Sequence, residues 1–81
     1  MYFVYILKCA DDSLYTGITI DLERRLAQHN AGKASKYTRA RLPVQLFKYW
    51  ELPNKSEALK AEYKIKQLSR EEKLNLKILP Q

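Results

Sequence analysis

The helical stretch 21–30 holds two polar side chains where a core residue is expected. Leu22 and Leu26 mark its inward face. At about 100° per residue, Arg25 and His29 share an arc of roughly 100° with those leucines, while Arg24 points the opposite way. A plain amphipathic helix would carry an apolar side chain at 29. In the stretch 54–68, Ala58, Ala61, Ile65 and Leu68 form the main apolar stripe, and Leu59 with Tyr63 a second. Glu62 lies between the two, with Lys66 one turn further on. An acid flanked by apolar side chains is expected to be partly buried, and then needs a cation, a hydrogen-bond donor or a metal ion. Between these helices lies a run with no acid at all, 33–43, in which Lys33, Lys36, Arg39 and Arg41 surround Tyr37 and Thr38. Cations spaced along a loop with a ring among them suit phosphates and an exposed base.

Taken singly, each of these residues has an ordinary explanation. Tyr5 and Tyr15 read as core aromatics of strands. Arg25 reads as a surface ion-pair partner of Glu23 or Asp21, His29 as a C-terminal residue favoured by the helix dipole, and Glu62 as the i,i+4 partner of Lys66. The cations of 33–43 read as a solvated loop, and Cys9 as a small core residue.

The elements that must position these groups are legible from pattern. Residues 2–9 are almost continuously apolar and rich in β-branched and aromatic side chains, as in a strand buried on both faces in the middle of a sheet. Turn chemistry at 10–13 leads to a second strand over 14–19, in which Gly17 predicts a bend, a bulge or the close approach of another group. A helix over 21–30 follows, capped by Thr19 or Asp21 and ended by Gly32. The basic loop has room for a short helical turn. A third strand runs over 44–52, introduced by Pro43, with Tyr49 and Trp50 assigned to the core. Asn54 with Glu57 opens a helix to 68, and Ser69 with Glu72 a last helix over 70–77. The order β-β-α-β-α-α predicts an α/β (α+β) domain, a three-stranded mostly antiparallel sheet flanked by helices.

Composition excludes several function classes. Eighty-one residues make one domain, 1–81, whose apolar residues must share a core. With 46% hydrophobic and 30% charged residues, disorder is not expected. One cysteine and one histidine rule out an internal disulfide and a structural zinc site. No stretch reaches the ~20 apolar residues of a membrane span, so the expectation is a soluble, cytoplasmic monomer with no membrane partner. The net charge of +6 favours a polyanionic partner, nucleic acid first.

Read together, Val-Tyr-Ile at 4–6, Tyr-Thr-Gly at 15–17, Arg25, His29 and Glu62 resemble the signature of the GIY-YIG nucleases. Arg-Arg-Leu-Ala-Gln-His-Asn at 24–30 and Glu-Ala-Leu-Lys-Ala-Glu at 57–62 look like the structure-specific endonuclease branch, and most like its small stand-alone bacterial proteins. The resemblance covers nearly the whole chain, with two departures: Val4 stands for the first motif's glycine and Thr16 for the second's isoleucine.

The resemblance implies a metal-dependent DNA endonuclease, with a place in DNA repair, that hydrolyses phosphodiesters by structure rather than sequence. Its substrate would be DNA, branched or single-stranded in part. Catalysis would fall to Tyr5, Tyr15, Arg25, His29 and Glu62, with Glu62 holding one Mg2+ or Mn2+ ion and Arg25 steadying the transition state. Tyr5 or His29 would orient or deprotonate the attacking water. A reference pKa of ~6.5 suits histidine to that task, whereas tyrosine at ~10 needs assistance. Lys33, Lys36, Tyr37, Thr38, Arg39 and Arg41 would bind nucleic acid, weakly and with strong salt dependence. Two alternatives stay open: a catalytically silent DNA- or RNA-binding module, and a protein-interaction domain serving a larger complex whose partner supplies specificity.

Overall fold

A computed structural model of the chain describes residues 1–80. The elements run β1 (Tyr2–Lys8), β2 (Leu14–Thr19), α1 (Leu22–Asn30), α2 (Lys36–Arg39), β3 (Gln45–Leu52), α3 (Lys55–Lys66) and α4 (Arg70–Leu74). The expected architecture is present, and the short helical turn for which the basic loop has room is a defined single-turn helix, α2.

The sheet order is β2-β1-β3, and both pairings are antiparallel. The most apolar strand therefore takes the centre, where both of its faces can be covered. Period-2 alternation divides β1 between two cores. Val4 and Ile6 face α3 and pack with Leu52, Ala58, Ala61 and Ile65. Tyr5, Leu7 and Cys9 face the other way, packing with Val44 and with Tyr15, Leu22, Leu26 and Leu42. The site residues of β1 and β2 thus lie on the face covered by α1, not on the mainly apolar face under α3.

Local side-chain chemistry fixes the helix starts. Asp21 caps α1 by accepting from Arg24 N at 3.1 Å. Ser35 caps α2, accepting from the backbone N–H groups of Tyr37 and Thr38. Asn54 caps α3, but Glu57 turns its carboxylate to Lys60 at 3.5 Å and completes no capping box. At α4 the box formed by Ser69 and Glu72 is complete. Asn30, the last residue of α1, bonds the Val44 backbone twice, at 2.8 and 3.0 Å, and so pins α1 to the entry of β3.

Two further expectations need correction. The last helix ends at Leu74, not at residue 77, because Lys48 Nζ donates to the carbonyl oxygens of Leu74 at 2.9 Å and of Leu76 at 2.5 Å. The following tail runs along β3, with Leu76 and Leu79 against the α3-side core and Trp50 Nε1 donating to Lys77 O at 3.2 Å. Trp50 is packed as expected, but its neighbour Tyr49 lies on the opposite, less covered face and is exposed. The strip Leu59–Tyr63 on α3 is likewise exposed, since no element lies over it.

Candidate active site

Tyr5, at the middle of the central strand, is the hub. Its cross-strand partner in β2 is Gly17. A Cβ at position 17 would lie 2.5 Å from Tyr5 Oη and 2.7 Å from Tyr5 Cζ, so the glycine makes room for the phenol head. The close approach expected at Gly17 is therefore that of Tyr5. From α1, Arg25 Nε donates to Tyr5 Oη at 3.4 Å, and His29 Nε2 lies 2.9 Å from the same oxygen. Arg25 Nη1 also donates to Gln28 Oε1 at 3.2 Å. One turn of helix separates Arg25 from His29, which is why both reach a single atom.

His29 is completely buried. Its second nitrogen, Nδ1, lies 2.7 Å from Thr38 Oγ1 of α2, and Thr38 is completely buried as well. Burial, with the nearby positive charge of Arg25 adding to it, lowers the His29 pKa to about 4, so the imidazole is neutral at physiological pH. Burial raises the Tyr5 pKa above its usual value. Arg25 opposes that rise through its hydrogen bond and charge, while Tyr15 and Glu62 add to it. Tyr5 therefore keeps its proton in the resting protein.

Tyr15, also on β2, sets its ring edge-on to His29, with centroids 5.2 Å apart. Its face stacks on Tyr37 of α2 at 5.9 Å with an interplanar angle of 29°. Beyond Tyr37 the Arg41 guanidinium sits 3.9 Å from the ring centroid, held by Asp11 at 3.1 Å and by Tyr37 O at 2.9 Å. Glu62, on α3, is only partly exposed, with 20% of its side chain accessible, and pairs with Lys66 at 3.4 Å. Arg25, Arg24, Gln28 and Thr19 line an open cleft of about 280 Å³ at the start of α1.

The chain matches the GIY-YIG catalytic domain over residues 1–75. It belongs to the GIY-YIG family. Relatives of similar length include a UPF0213 protein of Halobacterium salinarum, 52% identical over 73 residues that make up 90% of this chain and 95% of that one. A UPF0213 protein of Oceanobacillus iheyensis is 55% identical over 93% of this chain and 87% of its own. The solution NMR structure of the UPF0213 protein BH0048 from Bacillus halodurans is similar at 49% identity and a TM-score of 0.58, over 93% of this chain and 81% of that one. The solution NMR structure of the protein EF2693 from E. faecalis is similar at 41% identity and a TM-score of 0.63, over 91% and 79%. The antiparallel three-stranded sheet with flanking helices is thus a small GIY-YIG domain, and the family is one of nucleases.

Within this GIY-YIG domain, Tyr5, Tyr15, Arg25 and His29 converge, and Glu62 is near enough for its charge to act on Tyr5. The basic segment is less uniform than expected. Lys33, Lys36 and Arg39 are exposed. Thr38 cannot meet a phosphate, because it is buried with its hydroxyl on His29. Tyr37 is exposed but its ring is already in contact with Tyr15 and with the Arg41 guanidinium. Arg41 is engaged by Asp11. His29, being buried, meets the site through Tyr5 and Tyr15. The contact between Thr38 and His29 was missed in the sequence: a four-residue helix has no period to orient its side chains, and only the N-cap Ser35 signals it.

Proposed function

We propose that the chain is a metal-dependent DNA endonuclease that acts as a monomer in the cytoplasm and reads substrate shape rather than sequence. The observation that carries this reading is the double engagement of Tyr5 Oη by Arg25 and His29, a phenol held between a fixed cation and a neutral imidazole. Such a trio handles a proton beside a phosphate, which a purely structural cluster does not require.

Among the described residues there is no group of three or more His, Cys, Asp or Glu able to hold a metal ion. Glu62 supplies one partly buried carboxylate. One carboxylate fits magnesium or manganese in a nuclease, since magnesium keeps several waters and completes its shell with substrate phosphate oxygens. When bound, the ion would supply Lewis-acid stabilisation of the leaving oxygen. To take that role, Glu62 must exchange its exposed partner Lys66, an i,i+4 pair worth only ~0.3–0.5 kcal/mol.

The chain's own groups do the rest. Arg25 directs forked donors at the charge that develops on the phosphorus oxygens. Tyr5 orients the attacking water through its hydroxyl and accepts the water's proton as its own passes to His29 Nε2. The two transfers are coupled, because the raised tyrosine pKa and the lowered histidine pKa both oppose transfer of the Tyr5 proton alone in the resting protein. Tyr15 bonds a phosphate oxygen. Lys33, Lys36 and Arg39 neutralise flanking phosphates, so that binding weakens as salt rises.

Incubation with supercoiled plasmid and with duplex, single-stranded and branched DNA, in magnesium, manganese or chelator, tests this reading. Cleavage should need the metal, vanish in Glu62→Gln and slow about 100- to 1,000-fold in Arg25→Ala. Binding by the parent without cleavage under any of these conditions would instead favour the silent module.

A further inference from the structure

We infer that Thr38 is a positioning residue: its buried hydroxyl takes the Nδ1 proton of His29 and thereby leaves Nε2 free to receive the proton of Tyr5. The polar atoms form one chain across the α1 face of the sheet. Arg25 Nε lies 3.4 Å from Tyr5 Oη, which lies 2.9 Å from His29 Nε2. His29 Nδ1 lies 2.7 Å from Thr38 Oγ1, which lies 3.4 Å from Ser35 O.

The two ends of this chain fix its direction. Ser35 O is a carbonyl oxygen and can only accept; with the Thr38 hydroxyl donating to it at 3.4 Å, a lone pair of Oγ1 turns towards His29. A neutral imidazole must then carry its proton on Nδ1. At the other end a guanidinium can only donate, so Tyr5 Oη accepts from Arg25 and spends its own proton on Nε2. Both ends demand the same histidine tautomer. With the opposite tautomer, Tyr5 Oη would face two N–H donors and neither of its protein partners could accept its proton, inside a site that is 2% exposed at Tyr5 and fully buried at His29.

The short helix α2 is built to present this hydroxyl. Ser35 caps it through the backbone N–H groups of Tyr37 and Thr38, and the ring of Tyr37 rests on Tyr15. Four residues therefore hold His29 on one side and Tyr15 on the other. Thr38 touches no reacting atom; it acts through His29. Its kinetic consequence rests on the nuclease reading above, whereas the tautomer does not.

His29 is the only histidine in the chain, so one long-range 1H–15N spectrum of the labelled, full-length protein reports its tautomer directly. We expect a protonated Nδ1 and an unprotonated Nε2 in the parent and in Thr38→Ser, which keeps the hydroxyl. In Thr38→Val, which keeps the shape and loses the acceptor, the Nδ1–H form should give way to a mixture or to the Nε2–H form. In plasmid cleavage with magnesium, Thr38→Val should lower kcat about 10- to 100-fold at parental KM, and Thr38→Ser should restore most of it. A parent spectrum showing Nε2–H overturns the inference, and needs no variant to fold. So does Thr38→Val with parental tautomer and parental kcat. If the parent cuts nothing while the spectra behave as described, the nuclease reading falls and the role of Thr38 in setting the tautomer stands.

Discussion

Acidification should destabilise this protein well before its carboxylates titrate. His29 is wholly inaccessible, and burial, followed by the charge of Arg25, lowers its pKa to about 4 from an ordinary 6.5. Below pH 6.5 the unfolded chain binds a proton that the folded chain refuses. The stability contribution is thus fully present above 6.5 and is lost as pH falls towards 4. The shift of about 2.5 units corresponds to about 3 kcal/mol in all, of which about 2 kcal/mol is lost by pH 5. Asp11 and Glu72 also have lowered pKa values, so their stabilisation is lost only as pH falls through and below their ordinary 3.8 and 4.5. Most of the change between pH 7 and pH 5 therefore belongs to His29. Urea unfolding at pH 7, 6 and 5 measures it, with His29→Gln as the control that should lack most of the slope. Equal stability of the parent at pH 7 and 5, or an undiminished slope in His29→Gln, would refute the reasoning.

Two further outcomes follow from the packing around Tyr5 and its neighbours. Gly17→Ala should cost about 1–3 kcal/mol in urea unfolding, and disturb the Tyr5–His29 bond in the same NMR spectra, because its Cβ would meet Tyr5 Oη at 2.5 Å. Thr16→Val should stabilise the fold by about 1 kcal/mol in the same assay, since Thr16 Oγ1 is buried without a hydrogen-bond partner and valine keeps its shape.

What the sequence disclosed follows from where a period exists. The unbroken apolar run of β1 could satisfy both faces only at the centre of the sheet, which is where it lies. Period 3.6 placed Arg25 and His29 on one arc of α1, and they meet at one oxygen. The end of the last helix was hidden because a lysine 26 positions away in the chain, Lys48, takes the carbonyl of Leu74. The exposure of Leu59 and Tyr63 was hidden because a stripe shows which face is apolar, not whether anything lies over it. The packing of Tyr37 and the burial of Thr38 were hidden because four helical residues carry no usable period. Their packing depends on Tyr15 and His29, partners brought there by other elements.

The two faces of the sheet answer opposite demands. Under α3 the buried core is a set of aliphatic and small side chains, and there Thr16 Oγ1, a buried hydroxyl without a partner among the described residues, shares a face with Ile6 and serves nothing we can identify. Under α1 and α2, three polar side chains, Tyr5, His29 and Thr38, are buried at 2% exposure or less. Such burial destabilises a small domain unless every donor and acceptor is matched, and here the hydrogen-bond chain from Arg25 to Ser35 matches them. A chain of 81 residues has little stability to spare for an elaborate polar core. That this domain keeps one, directed from a cation to a carbonyl and turning on a neutral histidine, is the feature on which the proposed proton relay rests.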